Sequence, residues 1–246
     1  MKKPPDRKRQ KAPLYDPVQR AMEMMAVVSR DDRRKYYRFR PAKFYGGIAT
    51  ADCVGCCLRC LFCWSWREVV MPNRYGKFYS PEDVAKQLVH IARRKGFRQV
   101  RISGNEPTLS IDHLTGVLER IPQDLLFILE TNGILIGYDS GYAEQLKRFR
   151  NLHVRVSLKG TGEAEFSALT GAKPSGFAMQ IRALENLADA GVSTHPAVMG
   201  SFSPLRNIQS LRKRLATIHP RFEEIEVEDV VMYGDVERRL RRADLL

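Results

Sequence analysis

The chain has 246 residues, 43% of them hydrophobic and 9% aromatic, which is enough for one sizeable core and fits a single α/β domain. No apolar run approaches the roughly 18 to 20 residues of a membrane span. The start, Met1 to Arg7, is charged rather than apolar, so a cytoplasmic protein is expected. The net charge of +13 is uneven, because residues 1–40 hold 13 Lys or Arg against 5 Asp or Glu. Such an arm either contacts nucleic-acid phosphates or is a solvated leader.

In chain order, the first dozen residues are polar, charged and proline-containing and are expected to be disordered. Asp16 can cap a helix that begins at Pro17 and continues over Val18 to Val28. From residue 43, short apolar runs alternate with amphipathic stretches, the pattern of βα units around a parallel sheet. Strands are predicted near 46–52, 98–103, 125–131, 152–158, 193–199 and 224–231, with helices near 81–95, 110–120, 141–149, 177–190 and 204–217. Ser80 caps the first of these helices, Pro81 opens it, and Gly96 and Gly191 mark helix ends that run directly into strands.

The expected fold class is α/β: a partial, open (β/α)6 barrel in a core domain over 43–246, preceded by a basic N-terminal extension over 1–42. A closed eight-stranded barrel typically needs about 250 residues without any leader. Right-handed crossovers would place the carboxyl end of every strand on one rim, where ligands bind.

All five cysteines, Cys53, Cys56, Cys57, Cys60 and Cys63, fall within eleven residues, which leaves none for a long-range disulfide and favours metal or cluster ligation. Cys56, Cys60 and Cys63 have the spacing C-x3-C-x2-C, which lets a short loop hold three irons of a cubane. The fourth iron then lacks a protein thiolate and is open to bind a substrate directly. Cys53, Cys57 and Cys60 form a second register of the same spacing. A zinc reading pairs Cys53 with Cys56 and Cys60 with Cys63, but only three residues separate the pairs, where zinc half-sites usually stand roughly 12 to 20 apart.

The first register resembles the radical SAM superfamily, whose hallmark is this spacing with an aromatic residue before the third cysteine, here Phe62. In the second register that position is Arg59. The resemblance implies a [4Fe-4S] cluster and S-adenosylmethionine (SAM) as cofactors, with the SAM amino and carboxylate groups on the open iron. One electron from an external donor such as a ferredoxin or flavodoxin would cleave SAM to methionine and a 5′-deoxyadenosyl radical, which abstracts hydrogen from the substrate.

Further segments carry the resemblance along residues 46 to 200. Gly104, Asn105, Glu106 and Pro107 are similar to the family's Gly-Gly-Glu-Pro motif. Its backbone oxygens and the Glu106 carboxylate are expected to accept from the SAM ammonium. Glu130 and Asn132, at the end of the third strand, are expected to face the ribose or methionyl end of SAM; the alternative is an ordinary Asn-Gly turn. Ser157-Leu158-Lys159 resembles the Asp-Leu-Lys of pyruvate formate-lyase activating enzymes, with Ser157 in place of the aspartate, which implies that Lys159 pairs with the SAM carboxylate. His195, on the fifth strand, is expected on the substrate side of the rim, with Val198 to Gly200 against the adenine. The subgroup likeness implies a protein substrate. The basic leader and the tail Arg238 to Arg242 leave open an RNA-modifying enzyme, or a non-catalytic metal-stabilised RNA-binding protein.

Overall fold

A computed structural model describes residues 13–246. The first dozen residues, for which the sequence predicts disorder, lie outside the described residues. Helix α1 (Pro17–Val28) starts at the predicted cap, where the Asp16 carboxylate accepts from the Val18 and Gln19 amides at 2.9 and 3.2 Å. Next come β1 (Ser29–Arg30), β2 (Arg33–Ala42), β3 (Ile48–Cys53), the short α2 (Trp66–Val70) and β4 (Lys77–Tyr79). From there strands and helices alternate: α3 (Pro81–Lys95), β5 (Gln99–Ser103), α4 (Ile111–Leu118), β6 (Leu126–Thr131), α5 (Ile134–Tyr138), α6 (Gly141–Leu146) and β7 (Leu152–Leu158). The chain closes with α7 (Glu163–Thr170), α8 (Ser175–Asp189), β8 (Thr194–Met199), α9 (Leu205–Ala216), β9 (Glu226–Glu228) and α10 (Val236–Arg242).

The parallel strands β3, β5, β6, β7, β8 and β9 pair in that order, the expected open six-stranded half barrel. The last is shorter than predicted, three residues instead of eight. Among the described residues no helix is long and apolar enough to cross a membrane.

The main departure from the sequence expectation is β2. Residues 29–42, assigned by the sequence to the basic extension, belong to the same sheet as the core: β2 runs antiparallel to β3 from Tyr36↔Cys53 to Ala42↔Ile48 and carries β1 and β4 as further edges. Its charge hides this role. Arg34 is 1% exposed, and its guanidinium donates to the carbonyls of Val28 (3.3 Å) and Glu106 (3.2 Å), while Lys35 donates to the Pro72 carbonyl at 2.9 Å. Backbone oxygens replace the water these cations lose.

Strand alternation gives the sheet two unlike faces. Val100, Ile102, Phe127, Leu129, Val154, Val156, Leu158 and Val198 form the apolar face, in the main core under the helices. The opposite, concave face carries Thr50, Asp52, Arg101, Ser103, Glu130, His153, Arg155, Ser157, His195, Glu226 and Glu228, brought side by side by the parallel register. Behind the sheet α5 lies hard against α8: a Cβ on Gly137 would come within 1.8 Å of the Met179 carbonyl oxygen.

His113 of α4 ties the helical layer to β2. Its Nδ1 donates to the Asp32 carbonyl (2.7 Å) and its Nε2 accepts from the Tyr36 hydroxyl (3.0 Å). Burial lowers its pKa to about 4 from the usual 6.5, because the charged ring cannot be solvated there. The neutral ring therefore supports folding fully above pH 6.5, and that support is lost as pH falls from 6.5 towards 4. The shift corresponds to roughly 3 kcal/mol. Urea unfolding of wild type and His113→Gln, compared at each pH so that common acid effects cancel, is expected to show the advantage of wild type shrinking by about that amount across this window. A pH-independent difference would show that His113 is not the titrating group.

Candidate active site

The cysteine loop leaves the carboxyl end of β3 and has little regular structure of its own, so other segments hold it. Gly55, at φ +88°, lies against α1, where a Cβ would come within 2.8 Å of Met24 Sδ and 2.9 Å of Val28 Cγ1. Its amide donates to Asn105 Oδ1 at 2.7 Å, and its carbonyl accepts from the Glu106 amide at 3.0 Å. Further along, the Arg59 amide donates to the Tyr15 hydroxyl (2.8 Å) and the Leu61 amide to the Leu169 carbonyl (2.9 Å). Arg239 of α10 lies over Trp66 at 4.7 Å and donates to the carbonyls of Leu61 (2.9 Å) and Cys63 (2.5 Å). Arg239, in the tail that the sequence set aside for RNA, is thus a clamp on the loop.

The cysteines fall into two sets. Cys53 ends β3 on the apolar face, fully buried in the core, and burial pushes its thiol up to about 12. Cys57 is also fully buried. Cys56 and Cys63 are half-buried at the loop surface, and Cys60 lies just beneath it at 7% exposure. Donors aim at Cys56 Sγ, from the Leu58 amide at 3.3 Å and from Asn132 Nδ2 at 3.5 Å; the latter also lies 3.3 Å from Cys57 Sγ. A hydrogen bond from Cys57 holds the Cys56 thiol below its usual range, and the same bond, with burial, raises Cys57. Burial pushes Cys63 up to about 12.

Among the described residues no three His, Cys, Asp or Glu side chains converge on a single metal ion. A cubane takes one thiolate at each of three irons, so its three sulfurs stand farther apart than the ligands of a single ion. Amide donors to a ligand sulfur also suit a thiolate cluster. The donor set at Cys56, Cys60 and Cys63 therefore fits a [4Fe-4S] group.

Around the loop, the motif residues prove more structural than the sequence implied. Gly104, at φ +98°, lets the turn press on β3, with a built Cβ only 3.0 Å from Asp52 Cα. Asn105 occupies the second glycine position of the motif and makes the bond to Gly55; its amide also donates to the Gly104 carbonyl at 3.0 Å. Pro107 opens a short buried 3-10 turn.

Glu106 departs from its expected role. The sequence reading gives its carboxylate to the SAM ammonium, but the group is 1% exposed and fully engaged. Oε1 accepts from the Thr108 amide (3.1 Å) and the hydroxyls of Thr108 and Thr131 (both 2.7 Å), and Oε2 accepts from the Asn132 amide (2.8 Å). Asn132 in turn meets the cysteines. Gln180, fully buried and missed by the sequence reading, donates to the carbonyls of Asn132 (2.6 Å) and Ser157 (3.1 Å) and accepts from the Lys159 amide (3.0 Å). Lys159 donates to Ser157 Oγ at 2.6 Å and lies 5.9 Å from the ring of Phe62, which stacks on Phe202 at 5.8 Å.

His195 also differs from expectation. It is the second residue of β8, at the amino-terminal end, away from the rim where the cysteine loop begins. There its Nδ1 meets His153 Nε2 at 2.6 Å and its Nε2 meets Glu226 at 3.0 Å. It belongs to an ion-pair network that lines the concave face. Asp52, fully buried, binds Arg38 and Arg40 (2.7 and 2.8 Å). Glu130 binds Arg101 (2.5 Å), Ser103 (2.6 Å) and Tyr45 (3.2 Å). Arg155 binds Glu226 and Glu228, each at 2.8 Å. Bonds from His195 and Arg155 lower the pKa of Glu226 to about 2. Burial works against ionisation of Glu130, yet Arg101 and Ser103 hold it below its usual value. Charged or polar residues at every second position in apolar strands, as in Arg101/Ser103 and Arg155/Ser157, were the signal for this face.

The chain matches the family model of the Radical SAM superfamily over residues 52–215 and belongs to that superfamily. Its members are enzymes that hold a [4Fe-4S] cluster and bind SAM. Over 117 residues the chain is 32% identical to a probable GTP 3′,8-cyclase of Methanococcus maripaludis strain C6, covering 47% of this chain and 37% of that protein. The Pyrococcus horikoshii protein of the same name is 29% identical over 116 residues, covering 47% and 35%. The chain thus spans just over a third of the length of these curated relatives. Their name does not support the finer likeness to pyruvate formate-lyase activating enzymes.

Among solved structures, Streptococcus suis SuiB bound to S-adenosylmethionine aligns with a TM-score of 0.59 at 19% identity, covering 78% of this chain and 44% of that one. TYW1 with a lysine-pyruvate adduct aligns at 0.54 and 16% identity, covering 80% and 71%. Both show the same fold.

Replacing Glu106 with Ala strands four buried donors, which is expected to cost at least about 3 kcal/mol in urea unfolding and to lower iron content. A Glu106→Gln protein with wild-type stability and full iron, but SAM binding weakened tenfold or more, would restore a direct contact with SAM.

Proposed function

We propose that the chain is a SAM-cleaving core in which Cys56, Cys60 and Cys63 ligate three irons of the cluster and the concave face receives a polypeptide segment for hydrogen abstraction. Bound there, the cluster and SAM supply reductive cleavage of SAM to methionine and a 5′-deoxyadenosyl radical. The chain's own residues bind, orient and exclude water. Lys159 gives one donor to Ser157 and keeps others for the SAM carboxylate. Asn132 fixes the loop at Cys56, and Glu106 fixes Asn132. Cys53 and Cys57, buried in the core and against Asn132, are packing residues in this reading.

The charge balance of the concave face carries the substrate class. Among the described residues, Arg38, Arg40, Arg101, Arg155 and Lys159 face Asp52, Glu130, Glu226 and Glu228, an excess of one positive charge that the SAM carboxylate takes up through Lys159. A triphosphate such as GTP, the substrate in the relatives' name, would find little uncompensated positive charge. A peptide brings polar groups without phosphate charge. Structural neighbours have been seen with peptides: SuiB with precursor peptide SuiA (TM-score 0.59) and anSMEcpe with the Kp18Cys peptide (0.51). An RNA substrate is disfavoured because Arg34, Lys35 and Arg239, part of the basic charge that suggested it, are spent on backbone carbonyls.

The test is anaerobic reconstitution with iron and sulfide, then dithionite and SAM, with chromatography for 5′-deoxyadenosine. Cys56→Ala, Cys60→Ala and Cys63→Ala are each expected to cut product by more than about 100-fold. Cys53→Ala and Cys57→Ala are expected to keep it, and the reverse pattern would establish the other cysteine register. Added GTP is expected to leave the rate within about twofold, since the face offers its phosphates no free cations; strong stimulation would favour the relatives' reaction.

A further inference from the structure

Behind the cysteine loop, on the side of α1, lies a cationic face that the proposed chemistry does not use. The ring of Tyr15 is flanked by two guanidinium groups, Arg20 at 5.7 Å and Arg59 at 5.8 Å. Tyr15 itself is fixed: its hydroxyl accepts from the Arg59 amide (2.8 Å) and donates to the Thr170 carbonyl (3.0 Å), and its backbone pairs with Gly171 and Lys173. Neither arginine has a carboxylate partner among the described residues, and Arg20 Nε is buried without a hydrogen bond. The third cation of the face, Lys173, is about half exposed and pairs with Asp16 at 3.5 Å.

Unpaired cations held against one another point to an anionic partner. The position of Arg59 narrows its nature. Arg59 is exposed and is the chain neighbour of Cys60, one Cα step of about 3.8 Å away. A partner seated on Arg59 therefore sits against a proposed ligand, on the α1 side of the loop, while the concave face stays open to substrate.

We propose that the Tyr15, Arg20, Arg59 and Lys173 face docks an acidic, low-potential one-electron carrier protein. One electron leaves the carrier's reduced centre and enters at Cys60, with no bond or proton moved. This rests on the reading of Cys56, Cys60 and Cys63 as cluster ligands, but its test does not require SAM cleavage. Arg20 and Arg59 take no part in holding SAM or substrate.

The probe is an acidic bacterial [4Fe-4S] ferredoxin, used with anaerobically reconstituted holoenzyme. Calorimetry gives its affinity for the oxidised pair, and stopped-flow absorbance without SAM gives the rate at which reduced ferredoxin reduces the enzyme. Wild type should bind ferredoxin with an affinity that falls steeply between low and physiological salt. An Arg20→Glu/Arg59→Glu protein with wild-type iron content should bind at least about tenfold more weakly and be reduced correspondingly more slowly. The milder, exposed Lys173→Glu should give an intermediate loss and covers the case in which the double variant loses iron. Dithionite reduction should stay within about twofold in all of them, because that reductant needs no docking.

Unchanged ferredoxin binding and reduction in the variants would overturn the proposal. So would a shifted cluster midpoint potential with unchanged ferredoxin affinity, which would make the arginines counter-charges to the cluster. Displacement of ferredoxin by tRNA, with tRNA binding tighter at physiological salt, would assign the face to nucleic acid instead. Failure of SAM cleavage with intact ferredoxin binding would count against the proposed function and not against this face.

Discussion

A carboxyl group at 1% exposure has to find all of its hydrogen bonds within the protein, and the donors around Glu106 come from two different strand ends. Thr108 follows β5, and Thr131 and Asn132 end and follow β6, so one side chain sets the spacing between the two turns. Everything nearer the chemistry is built outward from that bond set. Asn132, held by its amide on Glu106, reaches Cys56; the Glu106 backbone holds Gly55, where the cysteine loop begins; and Arg34 reaches the Glu106 carbonyl from β2. The glutamate of the motif thus fixes the two turns and Asn132 relative to the cysteine loop.

The cysteine loop is stabilised from outside because it cannot stabilise itself. A loop that must present three sulfurs to a cluster cannot pair its backbone in a helix or strand, and its polar groups need partners elsewhere. Tyr15 supplies one from the beginning of the described chain, Leu169 one from farther along and Arg239 two from its end. This gives a physical reason for segments that look peripheral in the sequence. Helix α1 fills the space under Gly55, and α10 places a planar donor across two carbonyls that would otherwise be unpaired, a geometry that a lysine could not reproduce.

The parts legible in the sequence were those governed by local rules. Short apolar runs alternating with amphipathic stretches located the parallel strands, Asp16 and Ser80 located helix starts, and cysteine spacing located the loop. The parts that were not legible depend on which atoms meet across the sheet. β2 escaped notice because its buried cations are satisfied by carbonyls of Val28, Pro72 and Glu106, partners that no pattern within residues 33–42 reveals. His195 was placed at the rim because it lies on a rim-forming strand, although the predicted bounds 193–199 already put it near the amino end; at roughly 3.3 Å per residue the four positions to Met199 are about 13 Å. The protein partners of Glu106 were not legible because Thr131 lies in another strand.

The charge of the molecule is sorted by side. Inside the half barrel every arginine is matched: Arg38 and Arg40 share Asp52, Arg101 has Glu130, and Arg155 has two glutamates. Pairing of this kind holds side chains in fixed positions without leaving a strong field, which suits a surface that must orient a reactive substrate and keep water from a radical. Behind the cysteine loop the arrangement is reversed, with Arg20 and Arg59 kept together on one tyrosine and no acid paired with them among the described residues. A protein optimised only for stability would pair or remove those charges, since two guanidinium groups on one ring repel. On the proposed reading, their position beside Cys60 places the uncompensated field on the side from which an electron would enter, and the balanced charges on the side that would receive the substrate.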